Sequence, residues 1–91
     1  MAVDLNSVII TGTVRRKSPV STTLARLEVE CITLTNPKAR KTQEYIFCVE
    51  APTRLTISLL PGDRVRIVGH LEDRGDSERI VIAAEHVEVR Q

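Results

Sequence analysis

Four stretches of the chain alternate apolar and polar residues with a period of two. Val8, Ile10, Gly12 and Val14 alternate with Ile9, Thr11, Thr13 and Arg15, and Leu27, Val29 and Cys31 alternate with Arg26, Glu28 and Glu30. Tyr45, Phe47 and Val49 alternate with Ile46, Cys48 and Glu50, and Val65, Ile67, Gly69 and Leu71 with Arg64, Arg66, Val68 and His70. A fifth stretch, Ile80 to Val89, is apolar at Ile80, Ile82 and Ala84 and then at Val87 and Val89. Successive side chains of a strand point to opposite faces, so each stretch predicts a strand with one buried face. The change of phase in the fifth predicts a bulge or bend between Ala84 and Val87.

Turn chemistry separates these runs. Lys17–Ser21 breaks the first pair and Asn36–Lys41 the second. Pro61-Gly62-Asp63 precedes the fourth strand, and Asp73–Ser77 closes a hairpin before the fifth. Between the third and fourth strands, Leu55, Leu59 and Leu60 are spaced for a short helical turn, with Thr53 as a candidate cap. Five strands with one helical or irregular segment between the third and fourth is the order of a five-stranded Greek-key barrel, the OB-fold. The pattern thus predicts an all-β chain and a single OB-fold domain over residues 1–91. Closure removes the apolar edges that such short strands would otherwise expose. Gly12 and Gly69, inside strands, mark tight bends or close backbone approach.

Composition supports strands: valine, isoleucine and threonine make up 28 of 91 residues. The net charge of +1 excludes a polybasic chain but hides an asymmetry. Residues 1–41 carry a net +4 and residues 42–91 a net −3, and the basic residues of the first part are expected in two short loops. No stretch approaches the roughly 20 apolar residues of a membrane helix, and the N-terminus lacks the pattern of a signal peptide. Cys31 and Cys48 lack metal or redox spacing and read as buried thiols in a reducing compartment, with a single disulfide as the alternative. A cytoplasmic protein without membrane contact is expected.

Three segments carry a resemblance. Asn6–Val14, Pro61–Leu71 and Ile80–Val89 resemble the first, fourth and last strands of bacterial single-stranded DNA-binding proteins. Within that superfamily the alanine-glutamate step at Ala84-Glu85, and an ending soon after it, are most similar to the primosomal replication protein N family. The resemblance covers nearly the whole chain and implies a homodimeric, non-enzymatic OB protein of DNA replication or replication restart. Its partners would be single-stranded DNA and a helicase or another replication protein. Tyr45 stands at the family's third-strand tryptophan position, with Phe47 two residues on. The sequence stops at Arg90-Gln91, without the acidic-ended tail of the single-stranded DNA-binding proteins.

Single-stranded nucleic acid requires cations along its backbone and flat side chains for its bases. Arg15, Arg16 and Lys17, leaving the first strand, and Lys38, Arg40 and Lys41, before the third, would flank the face formed by strands two and three. The plainer alternative is that they are solvated loop charges. Tyr45 either stacks on a base or is a core aromatic with its hydroxyl at the rim; Phe47 reads as core. Arg26 either projects beside the groove or pairs with a glutamate across strands. Arg66 and Arg79 are weaker candidates. No catalytic, metal or cofactor constellation is expected: His70 and His86 lack ligands at zinc spacing, and the glycines form no phosphate loop. The competing functional class is a protein-interaction module that has kept the fold and lost strong nucleic-acid binding, as the few aromatics and the acidic second half suggest.

Overall fold

A computed structural model describes residues 4–36, 38, 41–73, 75 and 80–90. The five alternating runs form strands β1 (Val8–Pro19), β2 (Leu24–Asn36), β3 (Lys41–Pro52), β4 (Arg64–Asp73) and β5 (Ile80–Arg90). A single helical turn, α1 (Thr53–Thr56), lies between β3 and β4. The strands close into a barrel in the order β1-β2-β3-β5-β4. All pairings are antiparallel except β3 with β5, where Val49 and Glu50 lie beside Ile82 and Ala83. This is the expected OB-fold.

β1 serves two neighbours. Its first half, Val8–Thr13, pairs with β4, and its second half, Thr13–Pro19, with β2. Backbone crowding at that crossing explains Gly12: a Cβ there would lie 2.4 Å from the Glu30 carbonyl oxygen. Gly69 is tighter, with 2.2 Å to the Ala83 carbonyl oxygen. The predicted bulge in β5 falls at Glu85, where partners step from Gly69↔Ala84 to Val68↔His86.

The inward faces follow the period-two pattern. Val14, Leu27, Val29, Val49, Val65 and Ile67 are fully buried, joined by Leu59 from the segment after α1. Burying side chains of this size contributes about 1.5–3 kcal/mol each. Gly62, with φ of 100°, makes the expected turn into β4.

Some expectations are corrected. β1 continues to Pro19, so Arg15, Arg16 and Lys17 lie on a strand and not in a loop, and β3 begins at Lys41. The strands run on because the register keeps supplying backbone partners after the apolar alternation ends, from Arg16↔Glu28 to Pro19↔Ala25. Thr53 is the first helical residue instead of the cap; its hydroxyl is buried without a partner among the described residues, and Pro52 holds the cap position. Ile80 is exposed while Val81 is buried. Cys48 is not core: it lies opposite Glu28 on the outer face, whereas buried Cys31 faces inward opposite Tyr45. Both thiols are free, and opposite faces of one hairpin exclude a disulfide between them.

Candidate nucleic-acid interface

The outer face of β1–β2–β3 collects three of the predicted cations and three carboxylates. The register sets Arg16 beside Glu28, Ser18 beside Arg26, and Arg26 beside Glu50. A bulge between Val14 and Arg16 turns Arg15 toward Glu30. The result is a set of cross-strand ion pairs: Arg15–Glu30 at 3.1 Å, Arg16–Glu28 at 3.4 Å and Arg26–Glu50 at 3.2 Å. Between them lies an open cavity of about 370 Å³ lined by Arg16, Ser18, Arg26, Glu28, Ile46 and Cys48.

The three pairs differ in how readily a phosphate would exchange for the carboxylate. Glu28 is 43% exposed, so opening Arg16–Glu28 returns the carboxylate to water at small cost. Glu30 is 14% exposed and Glu50 only 5%, so releasing their arginines deprives increasingly buried carboxylates of a cation. Arg16 is therefore the most available cation of this face and Arg26 the least. The buried Arg26 Nε has no acceptor among the described residues.

Lys17 has a different role from the one its neighbours suggest. Its ammonium donates to the Thr56 carbonyl at 2.7 Å and to the Leu59 carbonyl at 3.0 Å. It thus satisfies the carbonyl of the last residue of α1 and that of Leu59, three residues beyond it.

The aromatic pair lies at the open end of the barrel. Tyr45 and Phe47 are two residues apart on one face of β3 and stack with ring centroids 6.1 Å apart and planes at 27°. Phe47 packs against the core, as expected, while Tyr45 is 39% exposed at the rim. The first half of β1 turns away toward β4 here, opening a cavity of about 360 Å³ between β1 and the β2–β3 hairpin. Ile9, Thr11, Cys31, Ile32, Tyr45 and Phe47 are among its walls. Beyond it, Lys41 and Lys38 are exposed toward the hairpin end. Arg40 and Arg79 lie outside the described residues.

Arg66 is half-buried on the outer face of β4, between Thr11 and Glu88 in register, and makes no ion pair with a described carboxylate. Two cations that sequence reading passed over share this face. Arg64 lies directly opposite Arg90, and its guanidinium donates to Thr13 Oγ1 at 2.9 Å. The alternation Arg64-Val65-Arg66 was a usable signal; the approach of Arg90 depends on the β4–β5 register.

His70 bridges two carboxylates, with Nδ1 at 3.2 Å from Glu85 and Nε2 at 3.1 Å from Glu72. The hydrogen bond with Glu85 is the main cause that raises its pKa above the ordinary 6.5. Among the described residues, no group of three or more His, Cys, Asp or Glu side chains is arranged to hold a metal ion, and no helix is long and apolar enough to cross a membrane.

The fold has solved counterparts over nearly its whole length. The N-terminal domain of PriB from Thermoanaerobacter tencongensis, described as dimeric, superposes with a TM-score of 0.74 at 18% identity, covering 94% of this chain and 97% of that one. The small single-stranded DNA-binding protein of Streptomyces coelicolor gives 0.72 at 18% identity, covering 98% and 95%. The Plasmodium falciparum single-stranded DNA-binding protein, solved with single-stranded DNA, gives 0.74 at 14% identity, covering 100% and 99%. At these identities the likeness is one of fold. No protein-family model and no curated protein matches the chain.

Proposed function

We propose that this chain is a non-enzymatic single-stranded DNA-binding protein of the primosomal replication protein N type, acting in replication or replication restart. The observation that carries the reading is the Tyr45–Phe47 stack, half open to solvent at the mouth of an OB barrel. A base stacked on Tyr45 would contribute about 1–3 kcal/mol. Phosphates would be held electrostatically, with Arg16 exchanging Glu28 for the ligand and Lys38 and Lys41 contributing from the hairpin. Ion pairing of Arg15 and Arg26 limits their share, so binding is of modest strength and strongly salt-dependent.

The same reading includes a homodimer, a helicase or another replication protein as partner, and a cytoplasmic location, with which two free thiols agree. Exposed Ile9, Ile32, Leu34 and Ile46 supply apolar surface for a protein partner. The test is an anisotropy titration of labelled oligo-dT from low to high salt. Saturable binding that weakens steeply with salt supports the reading, and no binding at low salt overturns it.

A second reading, a protein-interaction module, is favoured by the charge balance of the β1–β2–β3 face, where three arginines meet three glutamates. It predicts a complex that survives nuclease treatment and no oligonucleotide binding.

A further inference from the structure

We propose that Arg64 and Arg90 form a phosphate-binding site on the outer face of β4 and β5, and that a strand stacked at Tyr45 crosses β1 at Thr11 to reach it. The proposal rests on the single-stranded DNA-binding reading and specifies the path of the strand.

Arg64 and Arg90 are direct partners in the antiparallel β4–β5 ladder. Side chains in that relation point to the same face with Cβ atoms about 4.5–5.5 Å apart, and like charges there repel. Both are exposed, and neither makes an ion pair with any described carboxylate. Glu88, the nearest carboxylate in register, lies opposite Arg66 and forms no ion pair with it. The free protein thus carries two like charges on neighbouring strands around one cavity, which a bound anion would reconcile. On the outer face of β1–β2–β3, by contrast, each arginine of β1 and β2 has a glutamate.

One N–H of Arg64 is committed to Thr13 Oγ1, which fixes the guanidinium against β1 and leaves its other donors available. A planar fork with spare N–H groups suits a phosphate oxygen pair. Arg64 and Arg90 line a cavity of about 260 Å³ together with Thr11 and Val65. Thr11 is also a wall of the Tyr45–Phe47 cavity. The stacking platform and the arginine pair therefore adjoin across one residue of β1, and a chain of nucleotides can pass between them without crossing the neutralised face.

The test is a salt series with a long oligo-dT, using wild type, the double variant Arg64→Ala/Arg90→Ala, and Arg90→Glu. Each lost phosphate contact on a single strand removes about 0.7 from the slope of log K against log salt. The double variant removes one such contact, so it should be shallower by about 0.7 and bind about 5-fold more weakly near 0.1 M salt. Arg90→Glu should weaken binding at least as much. It places a carboxylate opposite Arg64, so it should melt no lower than wild type, and it decides the matter if the double variant folds poorly. Wild-type binding with unchanged slope in Arg90→Glu overturns this site and leaves the functional reading standing. Failure of wild type to bind overturns both.

Discussion

Replacing Lys17 by methionine separates a structural cation from a ligand-binding one. Methionine keeps most of the apolar stem and removes the ammonium that donates to the Thr56 and Leu59 carbonyls. The Thr56 carbonyl retains the Leu59 amide at 3.0 Å, so the loss falls mainly on Leu59, a residue with 1% exposure. A hydrogen bond from a charged donor contributes about 1.5–3 kcal/mol, and part-burial of Lys17 favours the middle of that range, about 2 kcal/mol. For a domain of this size, each kcal/mol shifts the midpoint by about 4–8 °C, so Lys17→Met should lower Tm by about 8–16 °C. The assay is thermal unfolding followed by circular dichroism, paired with an oligo-dT salt series. The salt slope should remain that of wild type. A Tm within a degree or two of wild type, together with a slope shallower by about 0.7, would instead assign Lys17 to phosphate.

Gly69→Ala should destabilise by about 3 kcal/mol or more, because its Cβ would meet the Ala83 backbone and force β4 and β5 apart; a chemical-denaturation midpoint equal to wild type would disprove the close approach. His70 has a raised folded pKa, so its stabilising contribution is complete below pH 6.5 and fades as pH rises through the higher folded value. The Tm difference between wild type and His70→Gln should accordingly shrink from pH 6 to pH 8.5, and a constant difference would contradict the bridge to Glu85 and Glu72. Burial pushes the Cys31 thiol up, against a smaller opposing effect of Arg64, while Cys48 sits on the outer face. Alkylation of the folded protein at pH 8, read by peptide mass spectrometry, should modify Cys48 well before Cys31.

The barrel was legible because burial enforces period two. Val14, Leu27, Val29, Val49, Val65 and Ile67 had to share an inside, and each does. Strand ends were not legible, because burial stops before hydrogen bonding does. Lys41 to Ile46 are exposed yet remain paired to β2, and Arg15–Pro19 continue β1 after its apolar alternation has ended. The cations were visible as residues but not as charges in a field. Whether Arg16 is free or paired depends on Glu28 lying opposite it, a register fixed by a one-residue bulge in β1. One of the two readings of Arg26, a cross-strand glutamate pair, is the one realised. Arg64 and Arg90, 26 positions apart, become neighbours only through the β4–β5 ladder. Tyr45 lay between two readings because it occupies an inward-facing register position where the barrel has already opened.

The chain offers a direct reporter of a base stacked on Tyr45: it contains one tyrosine and no tryptophan. Intrinsic tyrosine emission, followed as oligo-dT is added at low salt and again as salt is raised to reverse binding, reads that side chain alone. Saturable quenching that tracks the anisotropy isotherm, and a loss of affinity of about 5- to 150-fold in Tyr45→Ala, is the predicted result. Binding by anisotropy with unchanged tyrosine emission, and full affinity in Tyr45→Ala, would contradict it.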